Sequence, residues 1–359
     1  KSRTMILDSS YHVNQNINPY NPSGVKLTID KSIQESVETI LDKHNLNGSI
    51  IITDVYTSDI LAMVSRPNFD QDNIQRYFND SNMNLYNKSI QVGYPPGSIF
   101  KIVVLLTALE EDTTAIQDEY YCNGYEEING IRINCSGRHG YISLEEGFAK
   151  SCNSVFIQLA QCVGADKIIE TAKQLGFGEK VNIGLLEETT GNLPKDNELL
   201  GAAVGNIAIG QGKIEVTPLQ ITNMMMTIVN HGVRKPLNLI KGITNREGFI
   251  LKNYNTRDEV RLISEESSVT VLNMLREVVK SGTGKIIELE DIGGCGGKTG
   301  SAEGIFNQNK IIQGWFSGFF PYKNPKYVIT VLIEDAKSGS RTAAPIFEEI
   351  IKEIEKLYP

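Results

Sequence analysis

At 359 residues, with 40% hydrophobic and 22% charged side chains, the chain can bury a sizeable core and has the balance of an ordinary globular protein. Its 35 basic and 43 acidic residues leave a net charge of -8 with no basic cluster, which argues against a nucleic-acid or polyanion surface. No apolar stretch approaches the length of a membrane span, and five cysteines, an odd number in a large chain, do not read as a disulfide framework. The chain starts at Lys1-Ser2-Arg3 with no signal pattern and no initiator Met, so it reads as a trimmed segment whose missing anchor says nothing about where the full protein resides.

Residues 1–24, rich in Asn, Pro and Ser, read as a tail or the remnant of an amino-terminal module, and residues 25–359 as the main domain. Val25-Lys26-Leu27-Thr28-Ile29 alternates apolar and polar side chains, as a short strand with one buried face does. From the cap residue Asp30, the positions Ile33, Val37, Ile40 and Leu41 mark an amphipathic helix. Ser49–Thr53 and Ile60–Val64, split by Tyr56-Thr57-Ser58-Asp59, predict a β-hairpin. The stretch from about 67 to 280 is mostly helical in pattern. Within it, Thr217-Pro218-Leu219-Gln220 combines a cap, a first-turn proline and a capping-box glutamine. Strand patterns return at Ile311–Phe320 and Tyr327–Ile333, and a last helix begins near Pro345. Strands at both ends with helices between predict an α+β fold of three-layer αβα type. Its mixed, mainly antiparallel sheet is built from both chain ends, a large helical subdomain is inserted, and a cleft lies at the junction.

Ser98-Ile99-Phe100-Lys101 follows Pro95-Pro96-Gly97 and opens a long apolar run, so a buried helix is expected to start near Ser98. Positions i and i+3 share a helix face, which aims Ser98 and Lys101 into the same space. A serine hydroxyl needs a proton acceptor to become nucleophilic, and a lysine serves once burial or a second cation lowers its pKa. Alone, such a tetrad is as readily a solvated helix start. Ser151-Cys152-Asn153 lies 53 residues after Ser98, and Lys298-Thr299-Gly300 lies 200 residues after it. These supply a second hydroxyl for proton relay, an amide to hold a peptide bond, a cation with a hydroxyl to bind a carboxylate, and a glycine that permits close approach. Each triplet alone fits a helix cap or an ordinary turn; the ordered set is far more specific.

With those three motifs the chain resembles the penicillin-binding proteins, specifically the class B transpeptidase domain. The likeness runs from about residue 25 to 359. It includes Pro95-Pro96-Gly97-Ser98, Gly210-Gln211-Gly212, Thr217-Pro218-Leu219-Gln220, Ser281-Gly282-Thr283-Gly284 and Gly314-Trp315-Phe316-Ser317-Gly318-Phe319. Cys152 departs from the Ser-Asp-Asn form of the middle motif, so only the roles of Ser151 and Asn153 carry over. The resemblance implies a D,D-transpeptidase. Ser98 would attack the penultimate D-Ala carbonyl of a peptidoglycan stem peptide, form an acyl-enzyme and pass the acyl group to a neighbouring stem peptide; β-lactams would acylate the same serine. It further implies Lys101 as base, Ser151 as proton shuttle tuned by Lys298, Asn153 on the substrate amide and Thr299 on the substrate carboxylate. Gly300 would allow close approach, and the N–H groups of Ser98 and Ser301 would form the oxyanion hole. The chemistry would need no cofactor. The expected setting is the extracytoplasmic face of a bacterial membrane beside membrane-bound cell-wall synthesis partners. A β-lactamase and a non-catalytic β-lactam sensor domain are the alternatives. The first lacks a motif for activating the deacylating water, and the second is usually shorter and without the stretch from Gly210 to Gln220.

Cys122, Cys135, His139 and Cys152 fall within 31 residues and would complete a closed tetrahedral zinc site of structural type, bracing the wall that carries Ser151 and Asn153. The spacing is not a standard zinc-finger pattern. Three rival readings stand beside it: small buried hydrophobes, a Cys122–Cys135 disulfide, or His139 as a loop residue with no ligand. Cys162 and Cys295 read as packing residues. His12, His44 and His231 read as structural or exposed without a partner pattern, and Met224-Met225-Met226 as core.

Overall fold

The computed structural model describes residues 4–7, 13–17, 24–111, 119–245, 247–254, 258–306 and 309–358; His12 and much of segment 1–24 lie outside them. The strands Thr4–Leu7 and Val13–Ile17 pair antiparallel with each other. The main sheet has five strands in the spatial order Gly296–Phe306, Asn309–Phe320, Tyr327–Ile333, Gly48–Asp54, Ile60–Arg66. The two chain ends therefore meet inside the sheet, where Tyr327–Ile333 pairs with Gly48–Asp54. All four ladders are antiparallel, where a mixed sheet was expected.

The helices are α1 (Lys31–Lys43), α2 (Lys101–Glu110), α3 (Leu144–Ala149), α4 (Asn153–Val163), α5 (Ala165–Gln174), α6 (Ala203–Ala208), α7 (Pro218–Val229), α8 (Glu265–Lys280) and α9 (Ala344–Leu357). Their positions follow from alternation along the strands. Ile50 and Ile52 point into one core with Ile33, Val37 and Leu41 of α1 and with Phe347, Ile350 and Ile351 of α9. Ile51 points into the other, with the apolar faces of α2, α4, α7 and α8. Each fully buried Ile or Phe contributes on the order of 2 kcal/mol, so both layers hold the sheet firmly. This is the three-layer arrangement expected.

Local signals explain the helix ends. Asp30 caps α1 by accepting from the N–H groups of Ser32 and Ile33, and Thr217 with Gln220 forms a capping box on α7. Two expectations need correction. Gly24–Leu27 is a strand, but all four residues are exposed, and it pairs with Ile240–Thr244 outside the main sheet. The largely helical middle also holds short strands, Tyr120–Cys122, Tyr125–Ile128, Ile131–Asn134 and Gly140–Ile142. At three or four residues each they are too brief to leave a clear period-two signature.

The segment before Ser98 is clamped from both layers. Tyr94 exchanges backbone hydrogen bonds with Val216 at 2.9 and 2.8 Å, and Gly97 N–H donates to Gly210 O at 2.9 Å. From the sheet side, Trp315 Nε1 donates to Pro95 O at 3.0 Å. The fully buried Lys88 lies 2.5 Å from Glu334 Oε2, while Tyr94 OH donates to Glu334 Oε1 at 2.7 Å. Gly210 has φ +67°, and a Cβ there would sit 2.1 Å from Gly97 O, so this contact admits only glycine.

Candidate active site

Ser98 lies in a 3₁₀ turn, Gly97–Phe100, and α2 begins only at Lys101. The expected helix start is thus a tighter turn. Side chains three apart eclipse in a 3₁₀ turn, so Ser98 and Lys101 still share a face. Behind Lys101, every residue from Ile102 to Ala108 is buried, which leaves its ammonium no route to water along the helix. The Phe156 ring centroid lies 5.6 Å from Lys101 Nζ, and that of Phe148 lies 5.5 Å from Lys298 Nζ.

Ser151 enters from the joint between α3 and α4. The capping box of Ser143 and Glu146 starts α3, Cys152 precedes the first turn of α4 without a side-chain cap bond, and Cys152 N–H donates to Gly147 O at 2.7 Å. The turn forces Ser151 to φ +56°, a left-handed conformation that costs a non-glycine residue on the order of 1–2 kcal/mol. Its hydroxyl lies between the two lysines, 3.3 Å from Lys101 Nζ and 3.0 Å from Lys298 Nζ. Lys101 Nζ also donates to Ser151 O and Asn153 Oδ1, both at 2.7 Å, and Asn153 Nδ2 donates to Asn134 O at 2.9 Å. Among the described residues no hydrogen bond reaches Ser98 Oγ; catalytic contacts are often loose before a ligand binds.

Burial lowers the Lys101 pKa to about 7, against an opposing pull from the Cys152 and Cys135 sulfurs. Burial, reinforced by the charge of Lys101, holds Lys298 well below the usual lysine value. A neutral Lys101 has two N–H donors and one lone pair. Ser151 O and Asn153 Oδ1 take the donors, leaving the lone pair to accept a proton.

The strand Gly296–Phe306 is the sheet edge that faces this group. A Cβ on Gly97 would lie 2.7 Å from Ser301 O. In an antiparallel strand a residue's N–H and C=O point to the same side, so Ser301 N–H also faces the Ser98 turn. Gly300 is needed for contact, since a Cβ there would lie 2.9 Å from Pro96 O. Thr299 is almost fully buried, and its hydroxyl is 2.5 Å from that of Thr283. The structure therefore gathers Ser98, Lys101, Ser151, Asn153, Lys298, Thr299, Gly300 and Ser301 where the Ser98 turn, the α3–α4 joint and the edge strand meet. Sequence reasoning assigned no role to Thr283, Tyr94, Lys88 or Glu334. A buried lysine and the distant glutamate that pairs with it leave no mark in a linear pattern.

The Cys/His cluster also assembles. One ligand atom from each of Cys122, Cys135, His139 and Cys152 lies within 4.8 Å of the others. Cys122 Sγ is 3.4 Å and Cys135 Sγ 3.7 Å from His139 Nδ1, and Cys135 Sγ is 3.6 Å from Cys152 Sγ. Zinc with Zn–S bonds of about 2.3 Å in a tetrahedron needs edges of roughly 3.5–3.8 Å; these three distances match, and with every pair of the set within 4.8 Å a small contraction would close the four donors around the ion. All five cysteines are free thiols, and the rival Cys122–Cys135 disulfide is not formed. The hydrogen bond between Cys135 and Cys152, aided by backbone N–H groups, pushes the Cys135 thiol far below its usual pKa; the same bond, with burial, raises Cys152. Asn153 N–H donates to Cys135 Sγ at 3.2 Å, which couples the cluster to the cleft wall. Cys295 is a packing residue as expected, but Cys162 is exposed on α4. His44 has a partner after all, with Nε2 2.7 Å from Glu349 Oε2.

Fold and side-chain arrangement together define the active-serine class. The chain belongs to the penicillin-binding protein transpeptidase domain family, whose model matches residues 48–352, and this bears out the class B resemblance. It is 32% identical over 349 residues to stage V sporulation protein D of Bacillus subtilis, covering 92% of this chain and 53% of that protein. It is 28% identical over 367 residues to the peptidoglycan D,D-transpeptidase MrdA of Haemophilus influenzae, covering 91% of this chain and 55% of that protein. The chain thus spans about half the length of these relatives. The crystal structure of penicillin-binding protein 3 from Mycobacterium tuberculosis complexed with aztreonam superimposes with a TM-score of 0.81 at 27% identity, covering 94% of this chain and 80% of that one.

Proposed function

We propose that this domain is a serine D,D-transpeptidase that cross-links peptidoglycan stem peptides and is acylated by β-lactams at Ser98. The observation that carries the reading is the pair of buried lysines converging on Ser151 Oγ beside Ser98. Neutral Lys101 accepts the Ser98 proton as Ser98 Oγ bonds to the penultimate D-Ala carbonyl carbon. The carbonyl oxygen takes negative charge in the hole formed by the N–H groups of Ser98 and Ser301. Collapse of that intermediate breaks the peptide bond, and the departing D-Ala nitrogen collects a proton relayed through Ser151. Asn153 holds the substrate amide, and Thr299, beside Lys298, receives its terminal carboxylate. An acceptor amine then repeats the sequence in reverse and forms the cross-link. The name of the Haemophilus relative and the aztreonam complex of the Mycobacterium protein support this chemistry.

In this reading Cys122, Cys135, His139 and Cys152 would hold a structural zinc ion, which would supply a rigid cross-link beneath Ser151 and Asn153 and no chemistry to acyl transfer. The full-length protein acts at the extracytoplasmic face of a bacterial membrane, with an amino-terminal anchor and membrane-bound cell-wall synthesis partners. No helix among the described residues is long and apolar enough to cross a membrane.

Turnover separates this function from its two rivals. Incubation with a D-Ala-D-Ala-terminated stem peptide and an acceptor amine should release D-Ala and yield a cross-linked product, while penicillin remains as a stable acyl-enzyme. Rapid penicillin hydrolysis would identify a β-lactamase. Acylation with no D-Ala release would identify a sensor.

A further inference from the structure

Thr283 follows α8 and lies outside the three motifs, 16 residues before Thr299, yet its side chain meets the one hydroxyl assigned to the substrate carboxylate. Thr283 Oγ1 and Thr299 Oγ1 are 2.5 Å apart. A hydroxyl carries one proton and two lone pairs, so one proton of the pair lies between the two oxygens and the other is free. Whichever threonine donates, the pair offers one directed O–H to a ligand. Neither hydroxyl then rotates independently.

The backbone around Thr283 is held on several sides. Thr283 N–H donates to Ala149 O at 3.0 Å, Ser340 Oγ donates to Thr283 O at 2.5 Å, and Gly284 N–H donates to Val278 O at 2.9 Å. A Cβ on Gly282 would lie 2.1 Å from Ala149 O, so this loop is pressed onto the end of α3, two residues before Ser151. Thr283 thus joins the Ser151 wall, the edge strand and the Gly339–Ala343 turn at one point.

We propose that Thr283 is a positioning residue for carboxylate recognition: it fixes the direction of the Thr299 hydroxyl beside Lys298, so that the acyl donor is selected by its terminal anion. The inference rests on Thr299 being the carboxylate anchor, and its test separates the two claims. Second-order acylation rates are measured with benzylpenicillin and with its methyl ester, which lacks the anion, for the wild type and for Thr283→Val, Thr283→Ala and Thr283→Ser. The wild type should favour the acid. Thr283→Val and Thr283→Ala should lose about 10-fold or more on the acid, the scale of a hydrogen bond to a charged group, and stay within about 2-fold on the ester. Thr283→Ser, which keeps the hydroxyl, should retain the wild-type ratio. Equal losses on both compounds, or an unchanged ratio in Thr283→Val and Thr283→Ala, would show a merely structural threonine and overturn the inference. A wild type that does not distinguish acid from ester would overturn the carboxylate reading of Thr299, and this inference with it.

Discussion

Replacing Lys101 with Met is expected to slow penicillin acylation by about 100- to 10,000-fold, the range supplied by a positioned general base. Stopped-flow or quenched mass measurements of the acylation rate would read the loss. Met keeps most of the side-chain volume but strips Ser151 O and Asn153 Oδ1 of their donor, which costs about 1–3 kcal/mol, so a modest fall in melting temperature should accompany the loss of rate. The same residue sets the pH dependence. Its neutral form is the proton acceptor, and burial brings its pKa down to about 7, so the active form is present above that pH and lost as pH falls through it. Wild-type acylation should therefore rise about tenfold per unit below pH 7 and level off above. A profile flat from pH 5 to 9, or one still climbing toward 10, would contradict a depressed Lys101. Lys298 does not duplicate this role, because its nitrogen contacts Ser151 Oγ and Thr299 O from the strand side.

Replacing Cys135 with Ser is expected to have the second large effect. Purified wild-type protein should hold about one equivalent of zinc, and the variant close to none. In the variant the serine hydroxyl replaces a sulfur ligand, and the buried Cys122 and Cys152 are left as neighbouring thiols with no ion to hold them together. Several kcal/mol of stabilisation go with the metal, which for a domain of this size lowers the melting temperature by at least about 5 °C. Acylation should weaken as well, since Asn153 N–H bonds Cys135 Sγ and Asn153 Oδ1 orients Lys101. Cys162→Ser is the control, because that thiol is exposed and outside the cluster. Metal-free wild type that melts at the same temperature as the metallated protein would remove zinc from the account.

The legible parts of the fold were those written in local period or local cap chemistry. Ile33, Val37, Ile40 and Leu41 marked α1, Thr217 and Gln220 marked the start of α7, and the runs Ser49–Thr53 and Ile60–Val64 marked the β-hairpin. The candidate catalytic residues were legible because three short motifs occur in a fixed order. What joins those motifs was not. Thr283 bonds Thr299 across 16 residues, and Glu334 reaches Lys88 across 246; neither contact has a local signature. Val25–Leu27 misled because alternation signals a strand without saying which sheet it joins or what covers it. Cys162 misled for a related reason: cysteine is usually buried, but its place on the outer face of α4 depends on what packs there. The assembled cluster could be named from spacing, while its fit to a tetrahedron needed coordinates.

The central claim is that Ser98 is the nucleophile of a stable acyl-enzyme. Intact mass measured after incubation with benzylpenicillin should increase by the mass of one whole penicillin molecule, because ring opening expels nothing, and the adduct should map to the peptide containing Ser98. Ser98→Ala should remain unlabelled under the same conditions. A wild type without adduct, or an adduct that survives Ser98→Ala, would contradict the account.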